Sequence, residues 1–221
     1  RITCRYLKKS IREISILGII LLIIFVWFAI VYPGREVPKN LSLFLIIYSF
    51  ITFLGMLIYG RIRWFAYAEI FSIYFGMLGR IGIFSPYYKN KKNNIRMPFS
   101  GILMGKGSIY SAIFIIIAVA SISFDGVLET KFWYDFKVSL ISNFFFIPIF
   151  KLLLSWFGNL EIILDSLGII FMPIVLALFF SLSCVKGLKY FKQDYTIKKL
   201  IIIFAPSLIP IAAAYHVAHY F

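Results

Sequence analysis

The sequence has few charged residues and few of the side chains that carry chemistry. Charged residues make up 14% of its 221 positions, and there are two cysteines and two histidines. Because a soluble domain carries about 25% charged residues, the composition argues against a soluble protein. Cys4 and Cys184 are too few for a disulfide framework, and we interpret both as reduced thiols.

The motifs of several enzyme classes are also missing. The sequence contains no Walker phosphate loop, no GxGxxG, no GxSxG, no CxxC or CxxCH and no HExxH. A pump driven by ATP, a dinucleotide enzyme, a serine hydrolase, a c-type cytochrome and an HExxH metalloprotease are therefore unsupported. No catalytic motif identifies a reaction, so whether the protein is an enzyme stays open.

Apolar residues, in contrast, are abundant and are arranged in long blocks. They make up 62% of the chain, and the mean hydropathy is +0.93. Blocks of about 20 apolar residues have the length that spans a bilayer, whereas the short alternating segments of a β-barrel are absent. We predict an all-α, polytopic membrane protein of five to seven helices in one transmembrane domain, 1–221. The predicted spans are 14–32, 41–59, 108–124, 162–185 and 200–221.

Two further apolar segments, 64–83 and 138–156, are interrupted by polar residues. In the first segment, helical periodicity places Glu69 and Arg80 along one side and aromatic residues along the other. Such a distribution is typical of a helix at the membrane surface. We predict that both segments are interfacial or re-entrant, although 138–156 is long enough to cross.

The net charge of +14 comes from basic residues that cluster beside the apolar blocks. If neither 64–83 nor 138–156 crosses, 18 of the 23 lysines and arginines lie on the side of the N-terminus, whereas a seven-span arrangement divides them 14 to 9. The positive-inside rule favours the first arrangement and a cytoplasmic N-terminus. The predicted partners are the bilayer itself, anionic lipid at the basic loops and possible subunits of a membrane complex. We expect no nucleic acid as a partner, because the sequence leaves no soluble domain to bind it.

The two histidines lie three positions apart in the last apolar block, so both can face one space. In the five-span arrangement, two carboxylates lie at the same outer end. Imidazoles with carboxylates are ligands for transition metals, and histidine also holds haem iron. We predict a metal or haem site near the outer face, and the alternative is simple hydrogen bonding at the membrane interface. The predicted ligands are His216, His219, Asp125 and Glu129.

Glu69 is the other ionisable side chain in an apolar setting. A carboxylate among aromatic residues is costly unless it has a partner. We predict a structural ion pair with Arg80, with Arg61 or Arg63 as other partners, and the functional alternative is a proton or cation relay.

Three segments, 64–80, 121–130 and 205–221, carry a family resemblance. They resemble a family of uncharacterised multi-pass bacterial membrane proteins, some of whose members are labelled fenitrothion hydrolase. The resemblance implies a bacterial inner-membrane protein with further helices beyond residue 221, so we expect the chain to be a piece of a longer one. The label implies phosphotriester hydrolysis, which typically uses two metals with several histidine and acidic ligands. The resemblance also singles out Glu69, Arg80, Asp125, Glu129, His216 and His219.

Three functions are therefore open. The first is a metal- or haem-binding membrane protein. The second is a transporter or permease component, because Pro206, Pro210 and the interrupted segments predict broken helices, which line substrate sites in transporters. The third is a structural subunit of a membrane complex.

Overall fold

The computed structural model describes residues 10–84, 95–103, 107–142, 147–188 and 195–220, and it leaves out the side chains of 147, 149, 153, 156, 157, 219 and 220. Apart from one bridge between Phe84 and Ile95, all regular structure in these ranges is helical. A 3₁₀ turn, Ala205–Leu208, joins the last two helices. The helices are α1 Ile11–Ile30, α2 Pro38–Tyr59, α3 Arg61–Tyr67, α4 Ile70–Leu78, α5 Ser100–Leu103, α6 Ile109–Leu128, α7 Lys131–Ser142, α8 Ile147–Phe157, α9 Leu160–Leu188, α10 Ile197–Phe204 and α11 Ile209–Tyr220.

Five helical stretches are long and apolar enough to cross a membrane: α1, α2, α6, α9 and the α10–α11 stretch over Ile197–Ala218. At 1.5 Å per residue, a stretch of about 20 residues matches a hydrocarbon core of about 30 Å. The predicted all-α, polytopic membrane class is confirmed. The observed start of α1 differs from the predicted one because a capping residue fixes the first turn. The Ser10 side chain accepts a hydrogen bond from the backbone N–H of Arg12, so α1 begins before the predicted residue 14.

The centre of the bundle is α6, which packs against α1, α9, α10 and α11. Many of its apolar side chains, including Phe114 and Phe124, are buried. In contrast, Gly55 is the only buried residue of α2, all of which is described. Side chains such as Ile46, which is 66% exposed, therefore form a lipid-facing surface.

Contacts at the helix ends show that the five spans alternate in direction. Near the end of α1, Trp27 Nε1 donates to Ser166 Oγ near the start of α9, at 2.8 Å. Near the end of α6, Asp125 meets Tyr215 near the end of α11. A Cβ added at Gly168 near the start of α9 would meet the Phe124 ring near the end of α6, so both contacts lie at one end, which we call the Asp125 end of the bundle. At the opposite end, which we call the Gly107 end, a Cβ added at Gly107 would lie 2.9 Å from Cγ2 of Ile202 in α10.

The segment α3–α4 turns back along α2 from the Gly107 end. Gly60 has φ of 85°, a left-handed conformation that favours glycine, and it reverses the chain. The ring of Trp64 then covers Gly55, and the Glu69 side chain meets Tyr48, the eleventh of the 22 residues of α2. Glu69 therefore lies level with the middle of α2.

The same segment also packs along α1. A Cβ added at Gly18 would lie 2.9 Å from Ala68 Cα, and the rings of Phe25 and Phe71 meet edge to face at 5.2 Å. The segment α3–α4 starts at the Gly107 end, and Gly107, which follows it in sequence, lies at that same end. The chain therefore enters and leaves the bundle on one side through this segment. Relative to the spanning helices, α3–α4 has the path of a re-entrant segment.

The segment 64–83 is not one continuous helix. It contains the end of α3, a break at Ala68 and Glu69, and all of α4. The described parts of 138–156 are the end of α7 and most of α8. Residues 143–146 between them lie outside the described ranges.

Candidate functional site

Glu69 begins α4 and is 5% exposed. Its carboxylate accepts hydrogen bonds from the backbone N–H of Ser72 at 2.6 Å and of Phe71 at 3.2 Å, and from the Tyr48 hydroxyl. The two amides would otherwise be orphan donors of the first helical turn, and the negative charge suits the positive end of the helix dipole. Glu69 therefore caps α4 and ties it to α2.

The structure gives Glu69 these partners instead of the arginine predicted from the sequence. Among the described residues no ion pair joins Glu69 to Arg80, Arg61 or Arg63. The prediction assumed one helix over 64–83, in which Glu69 and Arg80 share a side. The break at Glu69 removes that premise, because Arg80 follows α4 in a turn and lies one helix length away from the cap.

His216 is bound by the re-entrant segment. Its Nε2 lies 2.6 Å from the Tyr74 hydroxyl of α4, and the two rings meet edge to face with centroids 5.7 Å apart. Which of the two groups donates depends on the imidazole tautomer. This contact joins α4 to α11, the second half of the fifth span, which the 3₁₀ turn Ala205–Leu208 interrupts and which we call the broken fifth span.

Asp125 is bound by the residue next to that histidine. The Tyr215 hydroxyl donates to Oδ2 of Asp125 at 2.6 Å, which joins α11 to α6. Since neighbouring residues on a helix point about 100° apart, Tyr215 and His216 face different neighbours. The structure thus brings Asp125 and His216 to one end of the bundle, each with a tyrosine as its hydrogen-bond partner.

Of the other two predicted metal ligands, one is exposed and one has a side chain that is not described. Glu129 is exposed and forms the C-cap of α6. His219 lies in α11, but its side chain is outside the described part of the structure. Among the described residues, no three histidine, cysteine, aspartate or glutamate side chains are placed to hold a metal ion. The four-ligand site stays a prediction that includes an undescribed side chain.

A buried polar atom of the re-entrant segment itself has no hydrogen-bond partner among the described residues. Trp64 is 3% exposed, and its Nε1 is unpaired. A buried donor of this kind costs about 1–3 kcal/mol unless water or another polar group reaches it. Apolar packing alone therefore leaves the Trp64 donor unsatisfied, and a water molecule or another polar group beside it would satisfy it.

A second charged cluster was not predicted. Lys137 of α7 donates to Glu161 at 2.8 Å and to Asp165 at 3.2 Å, and Trp133 Nε1 donates to Asp165 at 2.8 Å. Burial lowers the pKa of Lys137, but the hydrogen bonds and negative charges of its two partners outweigh burial and hold the pKa above its usual value. The partners are more than 20 positions apart in sequence, so no local pattern could have paired them.

The fold and these contacts define an integral, multi-pass membrane protein. Comparison of the chain with protein-family models, curated proteins and solved structures gives no match.

Proposed function

We propose that this protein is a transporter or permease component, in which α3–α4 and the broken fifth span line the substrate path. The observation that carries the proposal is the meeting of two discontinuous helical segments at the hydrogen bond between Tyr74 and His216. In transporters, discontinuous helices surround substrate and ion sites because their free ends present unpaired backbone groups inside the membrane.

Two features support this proposal. Glu69 brings a carboxylate to the level of the middle of α2, and ionisable groups at such depth mark substrate, ion or proton routes. It is therefore the carboxylate that a proton or a cation on the path would meet. The unpaired Nε1 of Trp64 lies in the same segment and supports entry of water there.

The transport proposal predicts that water reaches α4. In a chain with Cys4 and Cys184 replaced by serine, Ser72→Cys is expected to react with a membrane-impermeant thiol reagent in sealed vesicles. The substitution is nearly isosteric and leaves the Ser72 backbone bond to Glu69 in place.

Ile46→Cys on the lipid-facing side of α2 is the matched control and is expected to stay unmodified, because a thiol in hydrocarbon is neither ionised nor reached by the reagent. Equal lack of reaction at both positions, from either side of the membrane, would refute an aqueous path to α4.

A metal or haem site at the Asp125 end is the second proposal. The observation in its favour is that Asp125 and His216 lie at the same end of the bundle. Tyr215, which precedes His216 in α11, donates to Asp125 of α6. A bound metal would require His219 and Glu129 to complete the ligand set.

Metal analysis and an absorption spectrum of the purified full-length protein test this second proposal. We expect a stoichiometric transition metal, or a haem absorption band, that is lost in both His216→Ala and His219→Ala and retained in Glu36→Ala, a loop variant. Protein purified without metal or haem, and unable to take up iron, copper or zinc, contradicts it.

We also propose a bacterial inner-membrane location with a cytoplasmic N-terminus and anionic lipid at the Gly107 end. The support is the positive-inside rule, because basic residues follow or precede the helix ends on that side. Membership of the resembling family is likewise a proposal. The described basic residues at this end are Arg12, Arg61, Arg63, Lys186, Lys198 and Lys199.

A further inference from the structure

We propose that α7 is a membrane-surface anchor, whose exposed Phe132 and Phe136 side chains lie in the headgroup region of the bilayer at the Asp125 end. The inference is independent of the transport and metal proposals. It rests on the way in which α7 is attached to α9, on the side chains that it leaves exposed, and on the position of both relative to the lipid-facing surface.

One narrow strip of α7 is attached to the bundle. Trp133 and Lys137 lie one helical turn apart, and both bind Asp165 near the start of α9. The Trp133 ring also packs edge to face on Phe124 at 5.1 Å, while Lys137 reaches Glu161, whose side chain is 70% exposed. These contacts hold α7 beside the first turns of α9, where that span begins.

The rest of α7 is uncovered. The side opposite the attached strip is polar, with Lys131, Asp135 and Ser139 exposed, and apolar side chains lie on the two flanks between that side and the bundle. None of the residues of α7 is fully buried within the described chain. Apolar side chains of this size cost about 25 cal/mol per Å² of surface in water, so the flanks favour contact with an apolar phase. The exposed apolar side chains are Phe132 (72%), Tyr134 (65%), Phe136 (43%), Val138 (47%) and Ile141 (41%).

The position of the helix identifies lipid as the occupant. Its contacts hold α7 beside the first turns of α9, a spanning helix on which Leu167, Ile170 and Phe171 are more than half exposed. Aromatic side chains at the end of a span form the belt that sits at headgroup level. The 12 described residues of α7, about 18 Å of helix, are long enough to lie along the surface.

Electron paramagnetic resonance on the full chain tests this placement. In the background lacking Cys4 and Cys184, a nitroxide is attached at Phe136→Cys, and the protein is placed in vesicles of phosphatidylethanolamine and phosphatidylglycerol. We expect the collision rate with oxygen, relative to that with a water-soluble nickel chelate, to be several-fold higher than for a label at Glu36→Cys, an exposed loop position between α1 and α2. Ile46→Cys gives the value for full hydrocarbon, and the Phe136 label is expected between the two.

Two results would overturn the proposal. A ratio at Phe136 equal to that at Glu36 shows that α7 faces water. A label that neither agent reaches shows that protein, from a second copy or another subunit, covers the helix. A label at Phe132→Cys repeats the measurement, so a local disturbance by one substitution does not decide the result.

Discussion

Gly18→Val is expected to separate α3–α4 from α1 and to lower the stability of the folded protein by about 3 kcal/mol, the upper part of the usual cost of overpacking. A Cβ at Gly18 would lie 2.7 Å from the carbonyl oxygen of Tyr67 and 2.9 Å from Ala68 Cα. Both are backbone atoms, so no side-chain rotation relieves the clash and the whole segment has to move. For a chain of this size, we expect thermal unfolding in detergent about 6–12 °C lower.

Gly126→Val is the matched control. Gly126 also lies inside a spanning helix, but a Cβ there meets no atom within 4 Å. Both substitutions place a β-branched residue in a helix, so the difference between them measures the contact with Tyr67 and Ala68 alone. If the two variants unfold at the same temperature, α3–α4 does not pack on α1 as described.

The spanning helices could be predicted because hydrocarbon constrains the chain so strongly. A segment in lipid must satisfy its own backbone hydrogen bonds and must be apolar over about 20 residues, and both conditions are local in sequence. The polar residues that interrupt 64–83 and 138–156 were visible in the sequence for the same reason. What could not be predicted was the packing of α3–α4 against α1 and α2, since it depends on Gly18 and Gly55 allowing close approach. A glycine in an apolar block has no signature that distinguishes such a role.

The partners of the polar residues were beyond sequence reasoning because each lies in a distant block. Tyr74 and His216 are 142 positions apart, and Asp125 and Tyr215 are 90 apart. Counting charges placed Asp125 and the histidines at one end, which agrees with the described contacts of Asp125 and His216. Charge counting could not show that Asp125 and His216 would each bind a tyrosine.

Glu69→Ala is expected to destabilise the protein by about 3 kcal/mol, because it removes two contributions together. Loss of the N-cap of α4 costs about 1 kcal/mol, and the half-buried Tyr48 hydroxyl left without its acceptor costs about 1–3 kcal/mol more. Glu69→Asp separates the two, because aspartate caps a helix well but is one methylene too short to reach Tyr48. We expect Asp, which keeps the cap and loses the Tyr48 bond, to lose about two thirds as much stability as Ala in the same unfolding measurement.

A double-mutant cycle between Tyr48→Phe and Glu69→Ala then measures the bond between α2 and α4 directly. We expect a coupling free energy of about 1–2 kcal/mol, as for groups that share a buried hydrogen bond. Arg80→Ala is the decisive comparison, because the sequence alone predicts an ion pair between Glu69 and Arg80. If Glu69 is held by Tyr48 and the first turn of α4, Arg80→Ala leaves stability nearly unchanged and shows no coupling to Glu69→Ala. Strong coupling between Arg80→Ala and Glu69→Ala, together with unchanged stability in Tyr48→Phe, would instead support the ion pair. The hydrogen bond between Tyr48 and Glu69 would then not be what holds α4 at the middle of α2.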